Sequence, residues 1–111
     1  MAGPNRNPRR RFKRRTVRVL VDYFAEGRAR YDYAVTLGAG GLFVESDDPL
    51  ALETHVKVRF RLGSGGPLHE IEGRVVWSGI PEDGGKTPGM GIEFTNAAAS
   101  AALARELERL S

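Results

Sequence analysis

Alternation of apolar and polar residues, repeated in six short runs, is the feature that most constrains the fold of this chain. Successive side chains of a β-strand point to opposite faces, so such runs predict strands with one buried face. Turn-forming residues, many of them glycines, separate the runs, and no helical stretch connects one run to the next. This pattern favours an all-β fold, an antiparallel sheet closed into a six-stranded barrel. The runs span residues 16–24, 28–37, 42–45, 56–62, 68–80 and 89–94.

The apolar positions within the runs predict which side chains face the core. Tyr23 lies on the apolar face of the first run, and Tyr31 and Tyr33 share one face of the second. We interpret all three tyrosines, and Trp77 in the fifth run, as buried. Gly73, in the middle of the fifth run, predicts a bulge or a bend.

The period changes after Asn96, where an alanine-rich run carries leucines at helical spacing. This pattern predicts one amphipathic helix over about residues 97–110, capped by Asn96 or Ser100 and packed on the barrel. The leucine stripe consists of Leu103, Leu107 and Leu110, and the side chains assigned to solvent are Arg105, Glu106, Glu108 and Arg109.

The 111 residues suffice for one domain. We expect residues 1–8 to be a disordered leader, residues 9–15 a basic arm, and residues 16–111 the barrel with its helix. No apolar run approaches the roughly 20 residues that span a bilayer, and no signal-peptide pattern follows the basic N-terminus. Because cysteine is absent, disulfide and thiolate chemistry are excluded. We therefore expect a cytoplasmic protein without membrane contact.

The net charge of +3 conceals an uneven distribution. Residues 1–18 carry eight basic groups and no acid, which leaves nine basic against fourteen acidic groups, or −5, for the remainder. A basic segment on an acidic body predicts an anionic partner for the arm alone. A protein that binds nucleic acid with its whole surface would carry a basic body as well.

Residue types that carry catalysis are present, but not in catalytic arrangements. His55 and His69 lack the spacing of metal ligands, and we interpret them as surface or strand-edge histidines. Asp47 and Asp48 lie in a turn before proline, where aspartate bonds its own backbone. Ser64 lacks the strand–turn–helix context of a nucleophile. We therefore predict no catalytic residue, no metal site and no cofactor.

The arm and the glycine-rich break at residues 38–41 have binding chemistry. Arginines four apart, Arg10 with Arg14 and Arg11 with Arg15, can bring two guanidinium forks to one phosphate or guanine edge. A ligand can approach the backbone closely at the break because glycine has no Cβ. A solvated basic tail beside a tight β-turn explains the same residues, and this pattern alone leaves both interpretations open.

The chain contains four stretches, residues 10–14, 40–44, 72–77 and 89–96, whose order and spacing resemble those of the PilZ domain family. The first is similar to the R-x-x-x-R entry of that family, and the second resembles the strand that follows its second motif. The other two resemble its long fifth strand and its sixth strand with the helix entry. The resemblance implies a six-stranded PilZ-type barrel that binds the bacterial second messenger cyclic di-GMP without catalysis.

By position, the resemblance implies six ligand-binding residues in two motifs. Two arginines of the arm match R-x-x-x-R, and a neighbouring arginine is an alternative phosphate contact. The second family motif, D/N-x-S-x-x-G, supplies a side chain to a guanine edge, a hydroxyl, and a glycine that admits the ligand. The corresponding positions are Arg10, Arg14 and the neighbouring Arg11 in the arm, and Thr36, Gly38 and Gly41 in the second motif.

Thr36 and Gly38 depart from the second motif, because they stand where Asp or Asn and Ser are expected. A carboxylate can accept two hydrogen bonds from guanine, whereas threonine offers one hydroxyl and glycine none. The loss costs on the order of 2–4 kcal/mol, which is roughly 30- to 1,000-fold in affinity. We therefore expect weak cyclic di-GMP binding.

Three functions are compatible with these features. The first is cyclic di-GMP binding coupled to a protein partner, in the motility or surface-polysaccharide control that the resemblance implies. The second is an adaptor that binds a protein and ignores the nucleotide, which the departures at Thr36 and Gly38 favour. The third is nucleic-acid binding through the arm, which the acidic body and the expected burial of the aromatic residues disfavour.

Overall fold

Six strands form a closed antiparallel barrel followed by one helix in the computed structural model, which describes residues 15–80 and 87–110. The elements are β1 (Arg15–Ala25), β2 (Arg28–Gly38), β3 (Gly41–Glu45), β4 (His55–Phe60), β5 (His69–Gly79), β6 (Gly89–Phe94) and α1 (Ala97–Leu110). The strand order around the barrel is β1-β2-β3-β6-β5-β4, and β1 pairs with β4 to close it. The predicted fold class is confirmed. The predicted leader, and the arm except for its last residue, lie outside the described residues.

The barrel consists of two three-stranded meanders joined by two seams. Strands β1, β2 and β3 pair in chain order, and so do β4, β5 and β6. The β3–β6 seam is five residue pairs long, whereas the β1–β4 seam has three, from Asp22↔Arg59 to Phe24↔Lys57. Both seams therefore join segments that are far apart in the chain.

A two-residue turn sets the register of the β1–β2 hairpin. Glu26 and Gly27 adopt φ values of 54° and 78°, as a type I′ turn requires. Residues directly opposite each other in antiparallel strands present their side chains on the same face. Tyr23 is inside the barrel and lies opposite Arg30, so the even-numbered residues in the first half of β2 also face inward.

This register contradicts the predicted burial of two tyrosines. Tyr31 and Tyr33 alternate with the inward-facing residues of β2 and are 63% and 40% exposed. Tyr23 is buried as predicted, and Trp77 is half-buried. The alternation within β2 was predicted correctly, but its apolar face was wrongly assigned to the core, because the turn length fixes which face is inside.

The glycine at residue 73 is explained by the close packing of two strands and not by a bulge. A Cβ at this position would lie 2.6 Å from the carbonyl oxygen of Glu93 on β6. The irregularity in the β5–β6 pairing lies instead between Val75 and Trp77. The predicted position of the bulge is therefore wrong, and glycine is needed at residue 73 so that two strands can approach.

Helix α1 covers the end of the barrel at which β1, β3 and β5 begin, which we call the helix end. Leu103 and Leu107 are buried in the core, whereas Leu110 is exposed. The side-chain oxygen of Asn96 accepts a hydrogen bond of 2.9 Å from the backbone N–H of Ala99 and caps the helix, as predicted. No helix in the described part of the chain has the length and apolar character needed to cross a membrane.

Candidate ligand-binding site

The start of β1 places the root of the arm beside the second motif. Arg15 lies opposite Leu37, and Thr16 lies opposite Thr36, on neighbouring strands. Hydrogen-bonded strands are about 4.8 Å apart, so the chain enters the barrel within one strand spacing of the second motif. The predicted ligand-binding arginines of the arm precede this point and lie outside the described residues; they are Arg10, Arg11 and Arg14.

The last residue of the arm also contacts the C-terminal helix. The Arg15 guanidinium donates a hydrogen bond of 3.1 Å from Nη2 to the backbone carbonyl oxygen of Leu107. The carbonyls in the last turn of a helix have no partner within the helix and carry the negative end of its dipole, so a cation is favourable there. The root of the arm, the second motif and the end of α1 thus meet at the helix end of the barrel.

The second motif forms the tight hairpin between β2 and β3. Gly38 lies opposite Gly41, and Ala39 and Gly40 connect the two strands. A Cβ on Gly41 would lie 2.3 Å from the carbonyl oxygen of Ile92 on β6. The packing of β3 against β6 therefore requires glycine at residue 41 even without a ligand. The ligand contacts assigned to Gly38 and Gly41 stay predictions.

Thr36 carries a buried hydroxyl that has no hydrogen-bond partner among the described residues. Its neighbours across the adjacent strands are Thr16 on β1 and Phe43 on β3. A buried polar group without a partner costs about 1–3 kcal/mol, and such groups in folded proteins call for an explanation such as strain or function. Because Gly38 has no side chain, this hydroxyl is the polar side-chain group that the second motif retains.

An aromatic depression beside the hairpin was not anticipated from the sequence. Gly91 on β6 lies between Phe43 on β3 and Trp77 on β5, so two rings flank a residue without a side chain. The ring centroids are 5.5 Å apart, and the ring planes are inclined by 46°. The depression has a volume of about 190 Å³ and extends to Gly40 of the hairpin. It is smaller than the roughly 300–1,000 Å³ of a typical small-molecule pocket, so it suits one planar group of a larger ligand.

The opposite end of the barrel carries a polar cluster that sequence patterns did not reveal. The Tyr23 hydroxyl donates a hydrogen bond of 2.6 Å to Asp32, and burial together with this bond raises the pKa of the phenol. Arg30 donates to the Ser46 hydroxyl at 3.1 Å and to the Asp48 carbonyl at 2.5 Å. These contacts satisfy the polar side chains that the hairpin register turns inward.

His69 and Glu106 form a buried pair between β5 and α1. His69 Nε2 and Glu106 Oε1 are hydrogen-bonded, and their side chains are only 5% and 8% exposed. The interpretation of His69 as a surface histidine and the assignment of Glu106 to solvent are therefore wrong, because each group satisfies the other in the interior. Within residues 15–80 and 87–110, no group of three potential ligands could hold a metal ion.

Solved structures with the same architecture include proteins from several bacteria. The motility inhibitor MotI/DgrA of Bacillus subtilis matches with a TM-score of 0.74 and 19% identity, over 98% of this chain and 56% of that one. The PilZ domain of YcgR from Escherichia coli, solved with cyclic di-GMP, matches with a TM-score of 0.65 and 17% identity, over 92% and 88%. The PilZ domain of CeSA from a cellulose-synthesizing bacterium gives 0.61 and 18%, over 86% and 98%. These similarities show the fold, and the chain spans just over half of the Bacillus protein.

Sequence comparison assigns the family more directly. No curated protein matches the sequence. The profile of the PilZ domain, however, matches residues 8–111, a range that includes the arm, the second motif, all six strands and the helix. The chain therefore belongs to the PilZ domain family.

Proposed function

We propose that this protein is a non-enzymatic cyclic di-GMP effector that holds its ligand between the arm and the β2–β3 hairpin and transmits binding to a protein partner. The pairing of Arg15 with Leu37 carries the proposal, because it brings the root of an arginine-rich arm beside the second motif. The similar PilZ domain of YcgR was solved with this ligand. The proposed site would therefore lie at the helix end of the barrel.

The residues suggest a division of roles within this site. Arg10 and Arg14 would bind phosphate and guanine through their guanidinium forks. The rings of Phe43 and Trp77 offer a surface on which a base can stack. The Thr36 hydroxyl can make one hydrogen bond in place of the two that a carboxylate accepts from guanine. We therefore expect affinity at the weak end of the family.

Isothermal titration with cyclic di-GMP tests the proposal. We expect saturable binding by the wild-type chain, and its loss when Arg10→Ala and Arg14→Ala are combined. The matched control combines Arg28→Ala and Lys57→Ala, which removes two exposed cations outside the proposed site. Absence of heat at high ligand concentration, or an equal loss in the control, contradicts the proposal.

A second candidate function is that of an adaptor that binds a protein and ignores cyclic di-GMP. The observation that favours it is the second motif itself, where Thr36 has no carboxylate and Gly38 has no hydroxyl. The combined substitution Thr36→Asp and Gly38→Ser restores the family pattern. Binding that appears only in the restored protein supports the adaptor, whereas binding by the natural chain contradicts it.

The pathway is proposed from the similar structures. One of them is named an inhibitor of motility and another belongs to a protein of a cellulose-synthesizing bacterium. We propose control of motility or of surface polysaccharide for this chain. Swimming and polysaccharide assays on a strain that lacks the gene test it, with the Arg10→Ala and Arg14→Ala protein as the complementation control.

A further inference from the structure

One face of the β1–β2 hairpin exposes four large apolar side chains. Leu20 and Phe24 on β1 are 52% and 53% exposed, and Tyr31 and Tyr33 on β2 face the same side. Leu20 lies directly opposite Tyr33, so the strip is continuous across the two strands. We call these four residues the hairpin face. Contiguous exposed apolar surface of this kind marks interaction sites more often than isolated surface residues do.

The hairpin face contains a pocket of about 290 Å³ at the β1–β4 seam. Phe24, Ala29 and Tyr31 form its apolar wall, and Lys57 and Arg59 on β4 form the opposite wall. Lysine and arginine can present their aliphatic stems to an apolar group while their charged ends stay in water. The pocket is thus suited to one large apolar side chain of a binding partner.

Charges inside the pocket are already compensated. Asp22 pairs with Arg59 at 2.7 Å, and Glu70 pairs with Lys57 at 3.8 Å. Both carboxylates line the pocket together with their cationic partners, so the pocket has no net positive charge to attract the phosphates of a nucleic acid. Stacking platforms for single strands lie in grooves of continuous positive charge. The aromatic exposure therefore favours a protein over a nucleic acid as the occupant of this face.

Two arginines at the rim of the hairpin face have no ion pair in the described part of the chain. The Arg18 guanidinium lies 4.1 Å from the centroid of the Tyr33 ring, and no carboxylate in the described part of the chain forms an ion pair with it. Arg28, next to Ala29, is exposed and is likewise without an ion pair among the described residues. A guanidinium stacked on a ring keeps its N–H groups available for a carboxylate.

We propose that the hairpin face docks an acidic segment of a protein partner. The segment inserts an aromatic or branched aliphatic side chain into the pocket beside Phe24 and Tyr31 and places a carboxylate on Arg18. Tyrosine, phenylalanine and arginine are among the residue types that are enriched at protein interfaces. The proposal names a surface that cyclic di-GMP is not expected to contact, so it stands whether or not the nucleotide binds.

Selection from a library of random peptides displayed on phage tests the proposal on the full chain. We expect enriched peptides that combine acidic residues with one large apolar residue. Fluorescence anisotropy should then show a loss of about tenfold or more for Tyr31→Ser and for Arg18→Glu, as for a central interface residue. The matched control, Leu52→Ser, changes an equally exposed leucine outside this face and should bind like the wild type.

Four results would overturn the proposal. The peptide selection would do so if it enriched basic or uncharged peptides, or if no peptide were enriched relative to the Tyr31→Ser protein. Binding of labelled oligo(dT) or oligo(U) that Tyr31→Ser abolishes would identify a nucleic acid as the occupant. A dimer in sedimentation that Phe24→Ser abolishes would identify a second copy of the chain. A loss of binding in Arg18→Glu cannot be attributed to the loss of an apolar residue, because this substitution leaves the apolar residues in place. Circular dichroism on each variant checks the fold.

Discussion

At the scale of single residues, Thr36 shows how a binding position can differ from its family and still leave a physical trace. Its hydroxyl is buried and has no partner in the described part of the chain. An unsatisfied group lowers stability, and a site can retain such a cost when the group is used by a ligand. The stability of a variant at this position therefore reports on the hydroxyl independently of any ligand.

Thr36→Val is expected to raise the free energy of unfolding by up to about 1 kcal/mol, since it removes an unsatisfied hydroxyl and keeps the branched shape. Urea denaturation measures the change. Thr16→Val, on the neighbouring strand and exposed, serves as the control and should change stability by less than about 0.5 kcal/mol. A marked destabilisation by Thr36→Val would mean that the hydroxyl has a partner in the folded protein.

The burial and hydrogen bond of the Tyr23 phenol predict that the protein loses stability at alkaline pH. Its pKa in the folded state is raised above the ordinary value of 10.0, by burial first and by the hydrogen bond to Asp32 second. The stabilisation is therefore fully present below pH 10 and is lost as the pH rises, because the unfolded chain loses the phenolic proton first.

Urea denaturation at pH 8 and at pH 11 can test this. Tyr23→Phe should lower the free energy of unfolding at pH 8 by about 2 kcal/mol, because Asp32 loses its donor. The wild type should lose more stability between the two pH values than the variant. Parallel losses in the two proteins would show that the phenol is not protected in the fold.

At the scale of elements, the pair of His69 and Glu106 joins the helix to the barrel. Both groups are buried, so removal of one leaves the other without its partner in the interior. Glu106→Ala is expected to lower the free energy of unfolding by about 3 kcal/mol. Glu108→Ala, on the exposed side of the same helix, should stay within about 0.5 kcal/mol.

A double-mutant cycle with His69→Ala separates the pair from simple loss of packing. We expect the double variant to lose less unfolding free energy than the sum of the two single losses, because the second substitution removes the group that the first left unpaired. Additive effects would mean that the two side chains do not stabilise each other.

Sequence patterns predicted the strands and the helix because each buries an apolar stripe with its own period. The sequence also contained a signal for which residues of β2 face inward, since Glu26 and Gly27 form a two-residue turn that fixes which residues lie on the same face as Tyr23. That signal could have placed Tyr31 and Tyr33 outside. The partner of Glu106 could not be predicted, because His69 is 37 residues away and the contact depends on how the helix docks.

The candidate site was likewise predictable from the sequence only in part. The positions of Thr36, Gly38 and Gly41 came from the resemblance to the family, and the structure places them in one hairpin beside the root of the arm. The depression between Phe43 and Trp77 requires the registers of three strands, which periodicity does not supply. The arginines of the arm remain sequence-based assignments.

At the scale of the whole molecule, the proposed site requires the folded barrel, because the arm and the hairpin come together only through the β1–β2 pairing. A ligand that binds only the folded state adds about 2.7 kcal/mol when its free concentration is one hundred times Kd. Cyclic di-GMP should therefore raise the Tm of the wild type by roughly 10 °C. Differential scanning fluorimetry measures this shift.

Two controls test whether the rise in Tm is specific to cyclic di-GMP bound at the proposed site. The Arg10→Ala and Arg14→Ala protein should show none, and cyclic di-AMP, which lacks the guanine edge, should have little effect on the wild type. An equal shift with both nucleotides would indicate a generic response to a dianion, and the assignment of guanine contacts would have to be withdrawn.

The two seams of the barrel have a consequence for the order of folding. Each meander forms from neighbouring segments, but neither can enclose the core alone, and the three-pair seam joins Asp22 to Arg59 across 37 residues. Long-range closure of this kind is slow because the entropy of a large loop is lost before the contacts form. Seam formation should therefore set the folding rate, and substitutions within the seam should slow refolding more than equally destabilising ones at the hairpin turns.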